Sequence, residues 1–181
     1  DSNGLLIKER QNGSGARVKG IVFEVRSVLN AWLQMQGGIT WQQSHYKKPE
    51  QWSTDPTVKA EKQMFRTPNS YGYLTSTITP IKHFSASISG TYTGSMLVQH
   101  HIGSGVNKDV AVNTPDFVDV NLKLSYEFPL YDEVKLELSG GIQNLFNAYQ
   151  KDFDKGKDRD SGYIYGPSLP RSYFGGIKLL F

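Results

Sequence analysis

The sequence predicts an all-β protein, an antiparallel up-and-down meander of about seven long strands that crosses a membrane as part of a barrel. Three observations carry that reading. The final residues Arg171 to Phe181 (RSYFGGIKLLF) alternate with period two, with Tyr173, Gly175, Ile177, Leu179 and Phe181 on one side. A soluble sheet rarely leaves such a strand bare, whereas a barrel closes it against its first strand with an aromatic at the interface. The same alternation recurs upstream in segments long enough to cross a bilayer at a tilt. The connections also alternate. Leu29–Asn30, Pro80–His83 and Pro129–Glu133 are short, while Lys47–Asn69, His100–Asp116 and Ala148–Pro170 are long and polar, as periplasmic turns and extracellular loops would be.

Composition narrows the alternatives. At 181 residues the chain is one domain of ordinary size. Hydrophobic residues make up 38% and mean hydropathy is negative, which excludes a helical membrane protein. A barrel stays open, because alternating strands average to moderate hydropathy. Eighteen glycines, ten tyrosines and nine phenylalanines against three methionines lean to β structure. The absence of cysteine excludes a disulfide scaffold and a thiolate metal site, and suits an oxidising envelope compartment. Net charge is +3 with no run of four Lys or Arg, so nucleic acid is not an expected partner. Residues 1–16 are a polar, Gly-rich start without a signal peptide, as expected of a mature chain or a piece of a longer one.

In chain order the strands are expected at 17–28, 31–46, 70–79, 84–99, 117–128, 134–147 and 171–181. In the second, Ala31, Leu33, Met35, Ile39 and Trp41 oppose Gln34, Gln36, Thr40 and Gln42. The third is the weakest, with Tyr71, Tyr73, Thr75 and Thr77 against Leu74 and Ile78. In the fourth, Phe84 to Val98 at even positions oppose a row of serines and threonines. Val118, Val120, Leu122 and Leu124 oppose Asp119, Asn121, Lys123 and Ser125 in the fifth; Val134, Leu136 and Leu138 oppose Lys135, Glu137 and Ser139 in the sixth. The apolar faces end in Phe84, Phe128 and Phe181 at the turn end, and in Trp41 and Tyr173 at the loop end. At ~3.3 Å per residue and a tilt of ~40°, Ala31 to Trp41 rises about 25 Å, the height of a barrel's apolar band. Ile88, Leu122, Leu136 and Ile177 are thus expected to face lipid, Leu136 near the midplane, and Lys123, Glu137 and Lys178 the lumen.

Two motifs then point to a family. Gly140-Gly141-Ile142-Gln143-Asn144-Leu145-Phe146-Asn147-Ala148-Tyr149, and Tyr165-Gly166-Pro167-Ser168-Leu169-Pro170-Arg171-Ser172-Tyr173-Phe174-Gly175-Gly176, resemble the penultimate strand and final-strand entry of TonB-dependent outer-membrane receptors. The resemblance is strongest over 116–181 and rests on strand pattern alone over 17–99. It implies a 22-stranded barrel with an internal plug, of which residues 17–181 would be the carboxyl-terminal strands. It also implies uptake of a scarce nutrient (a ferric siderophore, haem, cobalamin or glycan) driven by the TonB system through the plug. The plug and remaining strands would lie outside this chain, so no transport is expected of it alone, and the isolated segment is expected to be oligomeric. The alternative is a soluble β-sandwich or lectin-like binding module.

Candidate site residues are few. Gln99-His100-His101 places two imidazoles on adjacent positions, which point opposite ways in a strand and do not easily chelate one ion; a haem or weak metal contact is the functional reading. His45, Tyr46, Trp52 and Tyr71 flank the long loop 47–69, where they stack on a planar or sugar ligand or serve simply as interfacial aromatics. In KDFDKGKDRDSG, Asp152, Asp154, Asp158 and Asp160 interleave with Lys151, Lys155, Lys157 and Arg159, which favours a solvated, self-neutralising loop over a Ca²⁺ loop. No nucleophile elbow, zinc-protease motif or phosphate loop is present, so no catalytic residue, cofactor or metal is assigned and the chain does not read as an enzyme.

Overall fold

A computed structural model describes residues 13–167 and 169–181. The expected polar start over 1–16 lies mostly outside them. Ten strands form among the described residues: β1 (Ala16–Asn30), β2 (Leu33–Glu50), β3 (Glu61–Gln63), β4 (Ser70–Ile78), β5 (Phe84–Thr93), β6 (Leu97–His100), β7 (Val110–Asn113), β8 (Phe117–Tyr131), β9 (Val134–Gln143) and β10 (Ser172–Leu180). No helix occurs among the described residues. The long strands make one antiparallel sheet in the order β1-β2-β4-β5-β8-β9-β10, with β3 added to β2. β6 and β7 pair with each other in a separate hairpin.

Local chemistry sets the boundaries and moves several from where the pattern alone put them. Asn30 ends β1 by accepting the Trp32 amide on its side-chain oxygen at 3.0 Å, so the first turn is Ala31–Trp32 rather than Leu29–Asn30. β8 runs on through Pro129 to Tyr131, and Asp132 at φ 48° makes the turn into β9. The expected strand 84–99 breaks at Gly94. A Cβ there would lie 2.7 Å from the Ser70 carbonyl oxygen, and the Asp116 carboxylate takes the Ser95 amide at 2.7 Å. Leu97–His100 leaves the sheet and pairs with Val110–Asn113 at the start of what reads as one long loop, so Met96 and Val98 belong to no row of the apolar face. The expected strand 134–147 ends early, at Gln143, because Asn144 adopts φ 50°.

The register turns the alternation into two continuous faces. Row by row across the sheet, Phe23, Ile39, Gly72, Tyr92 and Val118 align, and so do Ile88, Leu122, Ile142 and Tyr173. Phe84, Tyr126, Leu138 and Ile177 follow, then Phe128, Leu136 and Leu179. Pairing with Phe128 puts Leu136 near the turn end of the apolar face, not at its middle; Leu122 and Leu124 hold the middle of β8. The opposite face carries Lys123, Glu137 and Lys178, with Lys123 Nζ 3.6 Å from Glu137 Oε1 and Lys135 Nζ 3.5 Å from Glu127 Oε2.

Nothing among the described residues covers the apolar face. Ile21, Ile177 and Phe181 are 71%, 77% and 89% exposed. The buried hydrophobic residues are Met96, Leu97, Val98, Phe117 and Tyr163, at or beyond the loop end of the sheet. A sandwich needs a second sheet packed ~10 Å over that face, and the one other sheet among the described residues, β6–β7, sits in the loop-end layer instead. The residues that would form a soluble core are the ones left in contact with solvent.

Candidate functional site: a folded cap on the loop end

The three long excursions between strands, 51–69, 94–116 and 144–171, fold against one another. Met96, Val98 and Tyr163 form their small core, with Val112 and Tyr165 beside it. Arg66, at φ 56°, reaches from the first excursion to the third, donating to the carbonyls of Ile164 at 2.9 Å and of Gly162. Its own amide bonds the Leu97 carbonyl of the second at 2.8 Å. Ser53 Oγ donates to Asp109 Oδ2 at 2.7 Å and joins the first excursion to the second.

The acidic loop is anchored inward at Asp154. Asp154 is buried and accepts the Asp160 amide and the His100 Nε2–H, each at 2.9 Å. His100 is buried too, its ring stacked on Tyr163 at 3.6 Å between centroids and 5° between planes. The Tyr163 and Tyr165 hydroxyls donate to the two oxygens of Asp152 at 2.9 and 2.5 Å. Asp160 accepts the His101 amide at 2.8 Å. The loop is exposed over most of its length, as expected of a solvated one, with Asp154 buried and Asp160 half-buried; what is corrected is the expected neutralisation by its own Lys and Arg. The carboxylates of Asp152, Asp154 and Asp160 bind backbone, histidine and tyrosine, and no Lys or Arg of the loop is ion-paired to them among the described residues.

This wiring shifts the titrations. The Asp160 amide, helped by His100 against the cost of burial, holds the Asp154 carboxyl below its usual value. At Asp152 burial pushes upward, but the bonds from Tyr165 and Tyr163 together outweigh it and leave the carboxyl lowered. Burial, then the bond to Asp152, pushes the Tyr163 hydroxyl up to about 12; the same causes push Tyr165 up as well.

The sequence-selected residues do not converge. His100 is locked inside the cap, while His101 turns away, half-exposed, with Nδ1 3.4 Å from Asp109 Oδ2 and its ring 5.8 Å from Trp52. Trp52 also stands edge-on to Phe65 at 5.3 Å and donates to the Lys59 carbonyl. Tyr71 is exposed on the polar face of β4, in the row of Val22 and Thr40. His45 pairs with Arg17 and Gln63 on the opposite face, and Tyr46 pairs with Ala16 at the end of the same ladder. A cleft of about 810 Å³ opens in the third excursion between Tyr149, Phe153, Ile164, Lys155 and Arg159. Sequence reasoning missed Asp109, Arg66 and Tyr163: Ser53 lies 56 residues from Asp109, Ile164 98 residues from Arg66, and the ring stacked on Tyr163 is that of His100 in another excursion.

The Asn-Leu-Phe-Asn motif has a mechanical role. Asn144 is buried; its amide nitrogen donates to the carbonyls of Ala148 at 2.8 Å and Leu169 at 2.9 Å, and its oxygen accepts the Ala148 amide at 2.8 Å. Asn147, at φ 53°, accepts the Arg171 amide at 2.9 Å. Two asparagines, tolerant of the left-handed region, thus end β9 and fix where β10 begins.

No family model matches the chain, and no curated protein matches it. Among solved structures it is similar to the ferric-catecholate import receptor Fiu from E. coli K12 in its closed form, with a TM-score of 0.63 and 23% identity. The match covers 91% of this chain and 21% of that receptor, so the chain spans about a fifth of its length. At this identity the likeness is one of fold: a meander of long antiparallel strands like a segment of that receptor.

Proposed function

We propose that residues 17–181 are the carboxyl-terminal strands of a TonB-dependent outer-membrane receptor, with residues 1–16 a polar lead into them. The whole barrel, plug included, would import a scarce nutrient such as a ferric siderophore, haem, cobalamin or a glycan, and this segment has no enzymatic role. The observation that carries the reading is the bare apolar face, bounded by Phe84, Phe128 and Phe181 at one end and Trp41 and Tyr173 at the other. In water that face is a liability far above the few hundred Å² a monomer tolerates; in a bilayer it is the lipid contact. Support comes also from the two motifs and from the fold shared with a ferric-catecholate receptor.

In this reading the polar face lines the lumen against the plug, the cap is extracellular, and the segment alone transports nothing. Detached, its edges and apolar face would drive it to associate. Nutrient contacts fall to the accessible members of the candidate set, Trp52 and His101 on the cap and Tyr71 at the lumen mouth. His100 is committed to Asp154 and Tyr163, and His45 faces the lipid side.

The test is expression of the full-length polypeptide carrying this segment in a Gram-negative strain stripped of its own receptors. Membrane-embedded, heat-modifiable protein and uptake of one of these nutrients that stops when the proton-motive force is collapsed are the expected results. Recovery as a soluble, monodisperse protein sinks the reading.

A further inference from the structure

Trp52 and His101, the accessible candidate contacts on the cap, belong to different excursions, yet one carboxylate pins the residue that follows each. Ser53 Oγ donates to Asp109 Oδ2 at 2.7 Å, and the Ile102 amide donates to Asp109 Oδ1 at 2.7 Å. Ser53 Oγ also accepts the Asp55 amide at 3.0 Å, so the direction of its hydroxyl is fixed from both sides. The His101 ring meets the same carboxylate, with Nδ1 3.4 Å from Oδ2, and the His101 backbone amide is held by Asp160. Ser53 is buried and the Asp109 side chain is 11% exposed, so water competes little for these bonds. The Ser53 bond first, and the Ile102 amide next, hold the Asp109 carboxyl below its usual value against the cost of burial.

The result is a fixed pair of rings. Trp52 stands 5.8 Å from His101 and, edge-on, 5.3 Å from Phe65, and its indole N–H donates to the Lys59 carbonyl. Asp109 reaches Trp52 only through the backbone of Ser53. At His101 the effect is direct. An ionised carboxylate beside Nδ1 favours the tautomer that carries its proton there. The Nε2 lone pair, without a partner among the described residues, is then the ring's acceptor. Side chains ordered in advance lose less freedom when a ligand arrives.

We infer that Asp109 is a positioning residue for nutrient capture, which holds Trp52 and His101 as one prearranged pair and sets the tautomer of His101. It acts through Ser53, Ile102 and the imidazole. It rests on the reading above that Trp52 and His101 contact the nutrient.

The full-length polypeptide carrying this segment, in lipid vesicles, tests it twice. In the free protein, nitrogen NMR should find the neutral His101 ring protonated on Nδ1, and Asp109→Ala should move the proton to Nε2. The Trp52 indole proton, whose own bond to Lys59 is untouched, should exchange about ten-fold faster in Asp109→Ala and in Ser53→Ala. The Asp160 amide, held by Asp154, should keep its protection, which shows the rest of the cap still folded. Should Asp109→Ala lose that protection, Asp109→Asn is read in its place; its NH2 stands where Oδ2 was, and the same change of tautomer is expected.

Uptake is then measured with one probe for each nutrient class: iron(III) tris-2,3-dihydroxybenzoate, haemin, cyanocobalamin and maltoheptaose. For the probe that wild type imports, Asp109→Ala should raise KM about ten-fold with kcat unchanged. Adding Ser53→Ala should raise KM little further, because both substitutions break one bond. An Nε2–H tautomer in wild type, an indole proton no faster in the variants, an unchanged KM or fully additive substitutions each overturn the inference alone. Wild type that imports none of the four probes sinks the transport reading and this with it.

Discussion

Replacing Asn144 by Ala should unpick the junction between β9 and β10 while leaving the apolar and polar faces untouched. The side chain makes three hydrogen bonds, to the Ala148 amide and to the carbonyls of Ala148 and Leu169, in a buried setting. At about 1 kcal/mol each they are worth ~3 kcal/mol, and an alanine held at positive φ adds ~1 kcal/mol more. The assay is native-state hydrogen exchange in lipid vesicles at two amides that take no part in the deleted hydrogen bonds: Leu145, bonded to the Val120 carbonyl at 2.7 Å, and Arg171, bonded to Asn147 at 2.9 Å. A local loss of ~3 kcal/mol or more predicts exchange at least about 100-fold faster at both. Asn144→Gly should recover only the backbone part, about 1 kcal/mol. Asn147→Ala, which gives up one exposed bond, should cost less than half as much. If Asn144→Ala speeds either amide by less than tenfold, or if Gly restores wild-type protection, the side-chain network is not what closes the junction.

Depth on the sheet should decide the cost of a charge. Leu122→Arg near mid-depth should cost ~2–4 kcal/mol of membrane stability and Leu136→Arg, beside Phe128 at the girdle, ~0–1 kcal/mol, while Lys123→Arg on the polar face is neutral; folding titrations in vesicles give the order. Because the folded Asp154 carboxyl titrates below its usual 3.8, its contribution is present above that pH and lost as pH falls through the lower folded value. Exchange at the Asp160 and His101 amides should therefore rise in that acid window, and Asp154→Asn should flatten the rise. For Tyr163, raised to about 12, the sign is opposite: its share is complete below pH 10 and disappears as pH climbs towards 12, visible as tyrosinate absorbance growing in step with cap opening. Arg66→Ala should release the first excursion from the third, which His100 and His101 still tie to the second; the expected readout is faster proteolysis within 51–69 with the strand ladder still protected.

Period-two alternation, the short-long rhythm of connections and the aromatic ends were enough to place all seven long strands and to sort Ile88, Leu122 and Ile177 from Lys123, Glu137 and Lys178. Those features are local: a side chain's face follows from its parity, and parity survives folding wherever the ladder is unbroken. Where a single atom breaks the ladder, parity fails. Gly94 against the Ser70 carbonyl ends β5 early, and nothing near Met96 or Val98 in sequence reveals that they turn into the cap. The cap itself was illegible for the same reason. KDFDKGKDRDSG looks self-neutral because its charges alternate, yet His100, 54 residues away, and the nearby Tyr163 claim the carboxylates first. The basic cleft that Arg17, Lys19 and Lys47 line at the loop end of β1 and β2 is likewise a product of register, since Arg17 falls beside His45 and Lys19 beside Gln43 only because the strands pair without a slip from Ala16 to Val28. The sequence alone determined which residues sit on which face, because a strand's geometry repeats every two positions. Which polar groups meet was left to the tertiary structure, because hydrogen bonds and charge clusters depend on distances in space that chain separation does not encode.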